Sequence, residues 1–287
     1  MNTGQRDRRA ALVTGASTGI GRATALILDA QGYRVFAGVR KEEDGWSLKK
    51  EASDLLTPLR LDVTKGDEIA DVVATVGEET GGKLFGLVNN AGLSLNGPLE
   101  LVPECQIRTL FEVNVVGLLA VTRLFIPLLR EAKGRLINVS SGHGLLAIPD
   151  KSVYAASKFA VQAISDSLRL ELRPFGVSVS NLVVGKVETG VLGKILEERE
   201  RLAENADPAV LELYSPLFQF FDREVKDLPG IGPEEAAKVV AEALSAPKPR
   251  AQYLVGPGAR KMRNLARLPR GFRDGLICKR LYGAGKP

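Results

Sequence analysis

Short, nearly unbroken apolar segments recur along this chain between stretches of helical periodicity: Ala10 to Thr14, Tyr33 to Val39, Leu84 to Val88, Arg135 to Val139 and Val177 to Val184. A strand wetted on one face alternates apolar and polar residues, so segments this continuous predict strands covered on both faces. The stretches between them, Asp67 to Thr80, Pro103 to Arg130 and Val153 to Leu172, have helical spacing. Strand, crossover and strand in that rhythm predict a parallel sheet with helices on both sides, and the right-handed crossover rule favours a doubly wound open α/β sheet. Leu55 to Leu61 reads as a weaker strand because Pro58 interrupts it. A last helix, Pro233 to Leu244, opens on Pro233 with Glu234 and Glu235 in its first turn and leads into a strand at Ala251 to Val255.

The first strand runs into Thr14-Gly15-Ala16-Ser17-Thr18-Gly19-Ile20-Gly21. Glycines where a strand turns into a helix let a pyrophosphate approach the backbone and the positive helix terminus. The spacing departs from the GxGxxG fingerprint, so this segment alone also fits an ordinary α/β turn. Farther along, Tyr154 and Lys158 are four residues apart in a helical stretch and share a face. An ammonium beside a phenol favours the phenolate and makes tyrosine a usable proton carrier near neutral pH.

Composition narrows the class. Of 287 residues 45% are apolar, enough for one substantial core, and residues 1–287 are expected to form a single domain. Two cysteines and one histidine make neither a disulfide framework nor a metal set, so no metal is expected. Charges at Arg123 and Lys186 interrupt the longest apolar stretches, and the basic N-terminus leads into no signal-like segment, which predicts a cytoplasmic protein. The net charge of +5 is uneven: from Lys248 onward stand eleven Lys or Arg and one Asp, so the rest of the chain is net negative. That excludes a nucleic-acid-binding core. Residues 257–287 form a basic extension that alternates with Leu265, Leu268, Leu276, Ile277 and Leu281. It is expected to pack over a pocket or a subunit, with peripheral membrane contact as the alternative.

Taken together, Thr14-Gly-xxx-Gly-Ile-Gly, Asn89-Asn90-Ala91-Gly92, Asn114, Ser141 and Tyr154-Ala-Ala-Ser-Lys158 resemble, in order, the signatures of the short-chain dehydrogenases/reductases. The resemblance runs from about Arg9 to Thr189, resumes at Arg250 to Gly256, and is nearest the steroid and retinol dehydrogenase branch. It implies a Rossmann-like fold, an oxidoreductase, a homodimer or homotetramer, and a nicotinamide cofactor. It implies Tyr154 as proton donor and acceptor, Ser141 bonded to the substrate oxygen, Lys158 on the nicotinamide ribose depressing the tyrosine pKa, and Asn114 shaping the long helix and a proton path. Gly15, Ser17, Thr18, Gly19, Ile20 and Gly21 would hold the pyrophosphate. Asp62 and Val63 would border the adenine, Asn90, Ala91 and Gly92 would flank the cofactor, and Val187 and Thr189 would face the nicotinamide. Val39 stands where NAD-preferring members carry an acid and Arg40 follows, which points to NADP(H), since a guanidinium pairs with a 2′-phosphate that a carboxylate would repel. Val184 replaces the usual proline before Gly185.

The loop after Ser141, with His143, Leu145, Leu146 and Ile148, and an insertion at 190–230 containing Tyr214 and Phe218, would line the substrate pocket. Such a lining suits a lipophilic alcohol or carbonyl compound better than a sugar or a charged acid. Two other functions fit the same residues: an NADP-binding scaffold without turnover, and a dehydratase or epimerase on the same fold.

Overall fold

The computed structural model describes residues 9–188, 202, 204, 206–227 and 230–283. Among the described residues, seven parallel strands form one sheet in the order β3-β2-β1-β4-β5-β6-β7. They are β1 (Ala10–Thr14), β2 (Arg34–Val39), β3 (Leu56–Arg60), β4 (Gly86–Asn89), β5 (Arg135–Ser141), β6 (Ser178–Val184) and β7 (Gln252–Val255). The doubly wound expectation is met. Pro58 does not abolish its strand: β3 is the edge of the sheet, where a missing N–H costs no ladder bond, and Pro58 pairs opposite Ala37.

The unbroken apolar strands are explained by two covered faces. Ala11 and Val13 turn to a core containing Ala25 and Leu28 of α1 (Gly19–Ala30) and Val240 and Leu244 of a later helix, Pro233–Ser245. Ala10 and Leu12 turn to the opposite core, with Ile69 and Val72 of α3 (Gly66–Thr80) and Val121, Phe125 and Leu129 of α5 (Leu118–Ala132). Between α1 and α3 lies the short α2 (Glu42–Lys49). Alternation of side chains along each strand puts neighbours into different layers.

The predicted long helix from Pro103 is α4 (Glu104–Phe111), a π-helical turn at Glu112–Gly117, and α5 (Leu118–Ala132). By length and composition it could span a membrane, but Val121, Phe125 and Leu129 are packed in the core. A Cβ at Gly117 would lie 2.8 Å from Val63, so its glycine lets the helix approach the end of β3. Helix α6 (Ser152–Glu171) follows β5. A buried polar row ties these elements: Asn89 Nδ2 donates to Thr122 Oγ1 at 2.8 Å and Asn138 Oδ1 at 2.9 Å, and Asn138 Nδ2 donates to Ser165 Oγ at 2.9 Å.

Beyond β6 come α7 (Pro208–Leu213), α8 (Ser215–Asp227) and α9 (Pro233–Ser245), then β7, α10 (Gly256–Ala266) and α11 (Arg270–Tyr282). The basic extension is therefore two helices. Leu281 of α11 packs with Leu217 and Phe221 of α8. Val184 is a buried member of β6, opposite Ser141 on one side and Val255 on the other. Gly185 then donates its N–H to Val255 O at 2.9 Å, and a Cβ there would meet Ala259 N at 2.9 Å. The position without proline is thus held by the ladder and by α10.

Candidate active site

The strand order reverses at β1, whose neighbours β2 and β4 leave a crevice at the carboxyl ends, the usual place for a ligand in an open α/β sheet. A cleft of about 1160 Å³ opens there. The Thr14 hydroxyl accepts the backbone N–H groups of Asn90 and Ala91, both at 3.0 Å, while Asn90 Nδ2 donates to Thr14 O and Gly15 O at the same distance. These bonds lock the glycine turn to the Asn90-Ala91-Gly92 segment. Gly15 has φ +63° and Gly19 φ +56°, conformations that favour glycine. Gly21 is structural: it does not face the cleft, and a Cβ there would fall 2.2 Å from Gly15 O.

Ser17, Thr18, Gly19 and Ile20 line the cleft, as do Arg40, Asp62 and Val63 at its far side. Burial pushes the Asp62 carboxyl upward, but hydrogen bonds from the Thr64 N–H (3.0 Å) and hydroxyl (2.8 Å), with nearby Arg40 and Lys65, hold it below its ordinary value. A carboxylate, an exposed guanidinium and a bare glycine turn in one groove fit an adenine ribose phosphate and a pyrophosphate. Arg22, one residue beyond Gly21, pairs with Glu51 at 2.8 Å.

At the other end of the groove, β5 delivers Ser141 and α6 delivers Tyr154 and Lys158, one turn apart. Ser141 Oγ accepts the His143 N–H at 3.2 Å and hydrogen-bonds with Tyr154. Lys158 is buried, and its Nζ donates to Val139 O at 3.2 Å. Burial pulls the Lys158 ammonium down to about 8. Burial also pushes the Tyr154 phenol up, opposed by the Ser141 bond. Burial therefore outweighs any lowering of the Tyr154 pKa by Lys158, whose Nζ is 5.8 Å from the ring centroid.

Asn114 sits in the π-helical turn, outside the cleft wall and almost wholly buried. Its Oδ1 accepts Leu93 N–H at 2.7 Å, and its Nδ2 donates to Leu93 O at 2.9 Å and Ser157 Oγ at 3.1 Å. A Cβ at Gly92 would lie 3.3 Å from Asn114 Oδ1 and 3.6 Å from Lys158 Nζ, so the glycine separates the two side chains. The π turn thus anchors the cleft wall at Leu93 directly.

On the substrate side, His143 and Leu146 line the cleft but Leu145 does not. The His143 ring meets Tyr154 edge-on at 5.8 Å between centroids. Its burial, with the Lys151 charge nearby, lowers its pKa to about 3, leaving it neutral at ordinary pH. The aromatic helix is turned differently from expectation: Phe220 and Phe221 face the cleft, whereas Tyr214 and Phe218 do not. Tyr214 instead donates to Glu100 Oε2 at 2.8 Å. Val187 lines the cleft and bridges to Ile231, while Thr189 and most of the 190–230 insertion before α7 lie outside the described residues. Thr14, named in sequence only as the head of the glycine motif, gets its role from its cross-strand bonds. Leu265, Ile277 and Leu281 of the tail line the cleft, as does Met262, which sequence reasoning missed.

Among the described residues no group of His, Cys, Asp and Glu could hold a metal. The geometry offers a hydroxyl, a phenol and an ammonium at one end of a dinucleotide-sized groove, a set for proton transfer at a carbon–oxygen bond.

Residues 9–200 match the short chain dehydrogenase family model, and the chain belongs to that family. It is 32% identical over 265 residues to 3-amino-tetrahydro-pyrrolizinone reductase of Xenorhabdus hominickii, covering 91% of each chain. Against human 17-beta-hydroxysteroid dehydrogenase type 1 it is 34% identical over 258 residues, covering 86% of this chain and 77% of the other. A short chain dehydrogenase from Burkholderia cenocepacia, solved in complex with NADP, superposes with a TM-score of 0.71 at 27% identity, covering 95% of this chain and 98% of that one.

Proposed function

We propose that this single-domain chain is an NADPH-dependent oxidoreductase that reduces a lipophilic ketone or aldehyde to an alcohol, or runs the reverse reaction. The convergence of Ser141, Tyr154 and Lys158 in the groove that also carries the glycine turn and Arg40 is the observation that carries this reading. The nicotinamide, when bound, supplies or accepts the hydride. Tyr154 Oη gives its proton to the carbonyl oxygen in reduction and recovers it in oxidation. A phenol whose pKa burial has raised keeps that proton until charge develops on the oxygen. Ser141 Oγ, its acceptor side engaged by His143 N–H, directs its own proton to the same oxygen. Lys158 holds the ribose and places positive charge beside the phenolate left behind.

Arg40 after Val39, and the NADP complex of the Burkholderia relative, support NADP(H) over NAD(H). The apolar lining from Leu146, Ile148, Phe220 and Phe221, and the likeness to a steroid dehydrogenase, support a lipophilic substrate. Val116 and Leu119 on the π turn and α5, with Phe159 on α6, are exposed, which supports a homo-oligomer. Exposed Phe272, Leu276 and Tyr282 among the basic residues of α11 support peripheral contact with an anionic membrane. A panel of lipophilic ketones and alcohols followed by NADPH consumption or appearance tests the central reading. Turnover of at least one compound is expected, and none across the panel overturns it.

A further inference from the structure

The basic tail enters the cleft in an ordered way. Helix α10 turns Lys261, Met262 and Leu265 to the cleft, positions i, i+3 or i+4 apart on one face, and α11 adds Ile277, Arg280 and Leu281. The apolar members lie inward. Met262 packs on the turn that follows Ser141, since a Cβ at Gly142 would come 2.5 Å from its Sδ, and Leu281 is buried against α8. The cations lie outward: Lys261 and Arg280 are both exposed, at the rim. Lys151 adds a third positive charge from the loop before α6. Glu188 is the one acid among the described lining residues on this side of the cleft. An apolar chamber with a positive mouth matches a molecule with two unlike ends. A neutral hydrocarbon ketone would use the chamber and leave the potential of the mouth unmatched, whereas a small acid would leave Met262, Phe220 and Leu281 unmatched.

We propose that the substrate is an anionic amphiphile: a lipophilic carbonyl compound, or the corresponding alcohol, whose distal carboxylate reaches Lys261 and Arg280 while the reacting carbon lies against Ser141 and Tyr154. This rests on the oxidoreductase reading above and narrows its substrate class. The carboxylate meets exposed cations, so each contact is worth a few-fold at most and is weakened by salt.

Matched medium-chain ω-oxo carboxylic acids and their methyl esters, reduced with NADPH by the full-length protein, test it. The acid is expected to exceed its ester in kcat/KM by about tenfold at low salt, with the ratio falling as salt rises. In Lys261→Glu, and in Lys261→Gln combined with Arg280→Gln, the ratio should fall towards one, while Lys261→Arg should keep it. The ratio compares two substrates on one preparation, so partial unfolding of a variant does not mimic the result. Equal use of acid and ester by the parent protein, or an unchanged ratio in Lys261→Glu, overturns the proposal. Calorimetric titration with a saturated medium-chain fatty acid and its methyl ester separates this from the catalytic reading. If no carbonyl compound is turned over, the oxidoreductase reading fails. Tighter binding of the acid that Lys261→Glu abolishes would still uphold the anion site, and equal binding of acid and ester would remove it.

Discussion

Replacing Asn114 by alanine should be costly for stability, and the hydrogen bonds indicate how costly. The side chain closes three bonds, two of them to the N–H and C=O of Leu93 and the third to Ser157 Oγ. Ser157 keeps a second partner, Tyr154 O at 2.8 Å, so its loss is small. Leu93 has no such reserve among the described bonds, and each backbone group left unpaired costs about 1–3 kcal/mol. Leu93 borders the cleft, where water can partly replace the amide, so we expect a total of about 2–4 kcal/mol, or roughly 3–7 °C in Tm for a chain of this size. Ser157→Ala removes one of the three bonds and should cost less than about 1.5 kcal/mol. Paired thermal melts of the two variants decide the matter. A melting temperature for Asn114→Ala within about 2 °C of the parent, or a Ser157→Ala variant equally damaged, would refute the anchoring role.

Other substitutions probe the charges. Burial lowers Lys158 from its ordinary 10.5 to about 8, so the unfolded chain binds a proton in that interval that the folded chain does not. Folding is therefore penalised below pH 8 and relieved as pH rises to 10.5. Lys158→Met should abolish turnover yet raise Tm at pH 7, with the gain shrinking towards pH 10.5; an equal or lower Tm at pH 7 contradicts this. His143 is depressed from 6.5 to about 3, so stability is fully present above pH 6.5 and is lost as pH falls through 3. His143→Gln should lose less Tm than the parent between pH 7 and pH 4.5, and identical losses would show that the imidazole is not held neutral. Arg40→Asp should cut the NADPH-to-NADH ratio of kcat/KM by at least about tenfold, because a carboxylate repels the 2′-phosphate. An unchanged ratio would remove Arg40 from cofactor choice.

The layout of the sheet was legible because strands covered on both faces leave unbroken apolar runs, whereas the glycine turn, Ser141, Tyr154 and Lys158 were legible together because their order and spacing resemble the signatures of a known family. The helix phase near the cleft was not. Tyr214 and Phe218 share an apolar segment with Phe220 and Phe221, and only the packing of α8 on Leu281 decides which ring faces inward. Leu145 and Leu146 are indistinguishable until the turn at Gly142–Gly144 sets their direction. The tail was expected to pack over a pocket or a subunit, but its sequence does not say that Lys261 and Arg280 are among the residues that meet the cleft. Pro58 made the strand at Leu55 to Leu61 read as weaker than it is, because sequence shows the missing N–H but not that the strand is at the edge.

The central claim is that Tyr154 moves the proton at the reacting oxygen. Tyr154→Phe keeps the ring against His143 and removes only the hydroxyl. With a lipophilic carbonyl substrate and NADPH, the claim requires that this variant lose at least about a thousandfold in kcat while NADPH affinity, measured by fluorescence titration, stays within about threefold of the parent. Turnover at the parent rate would contradict it.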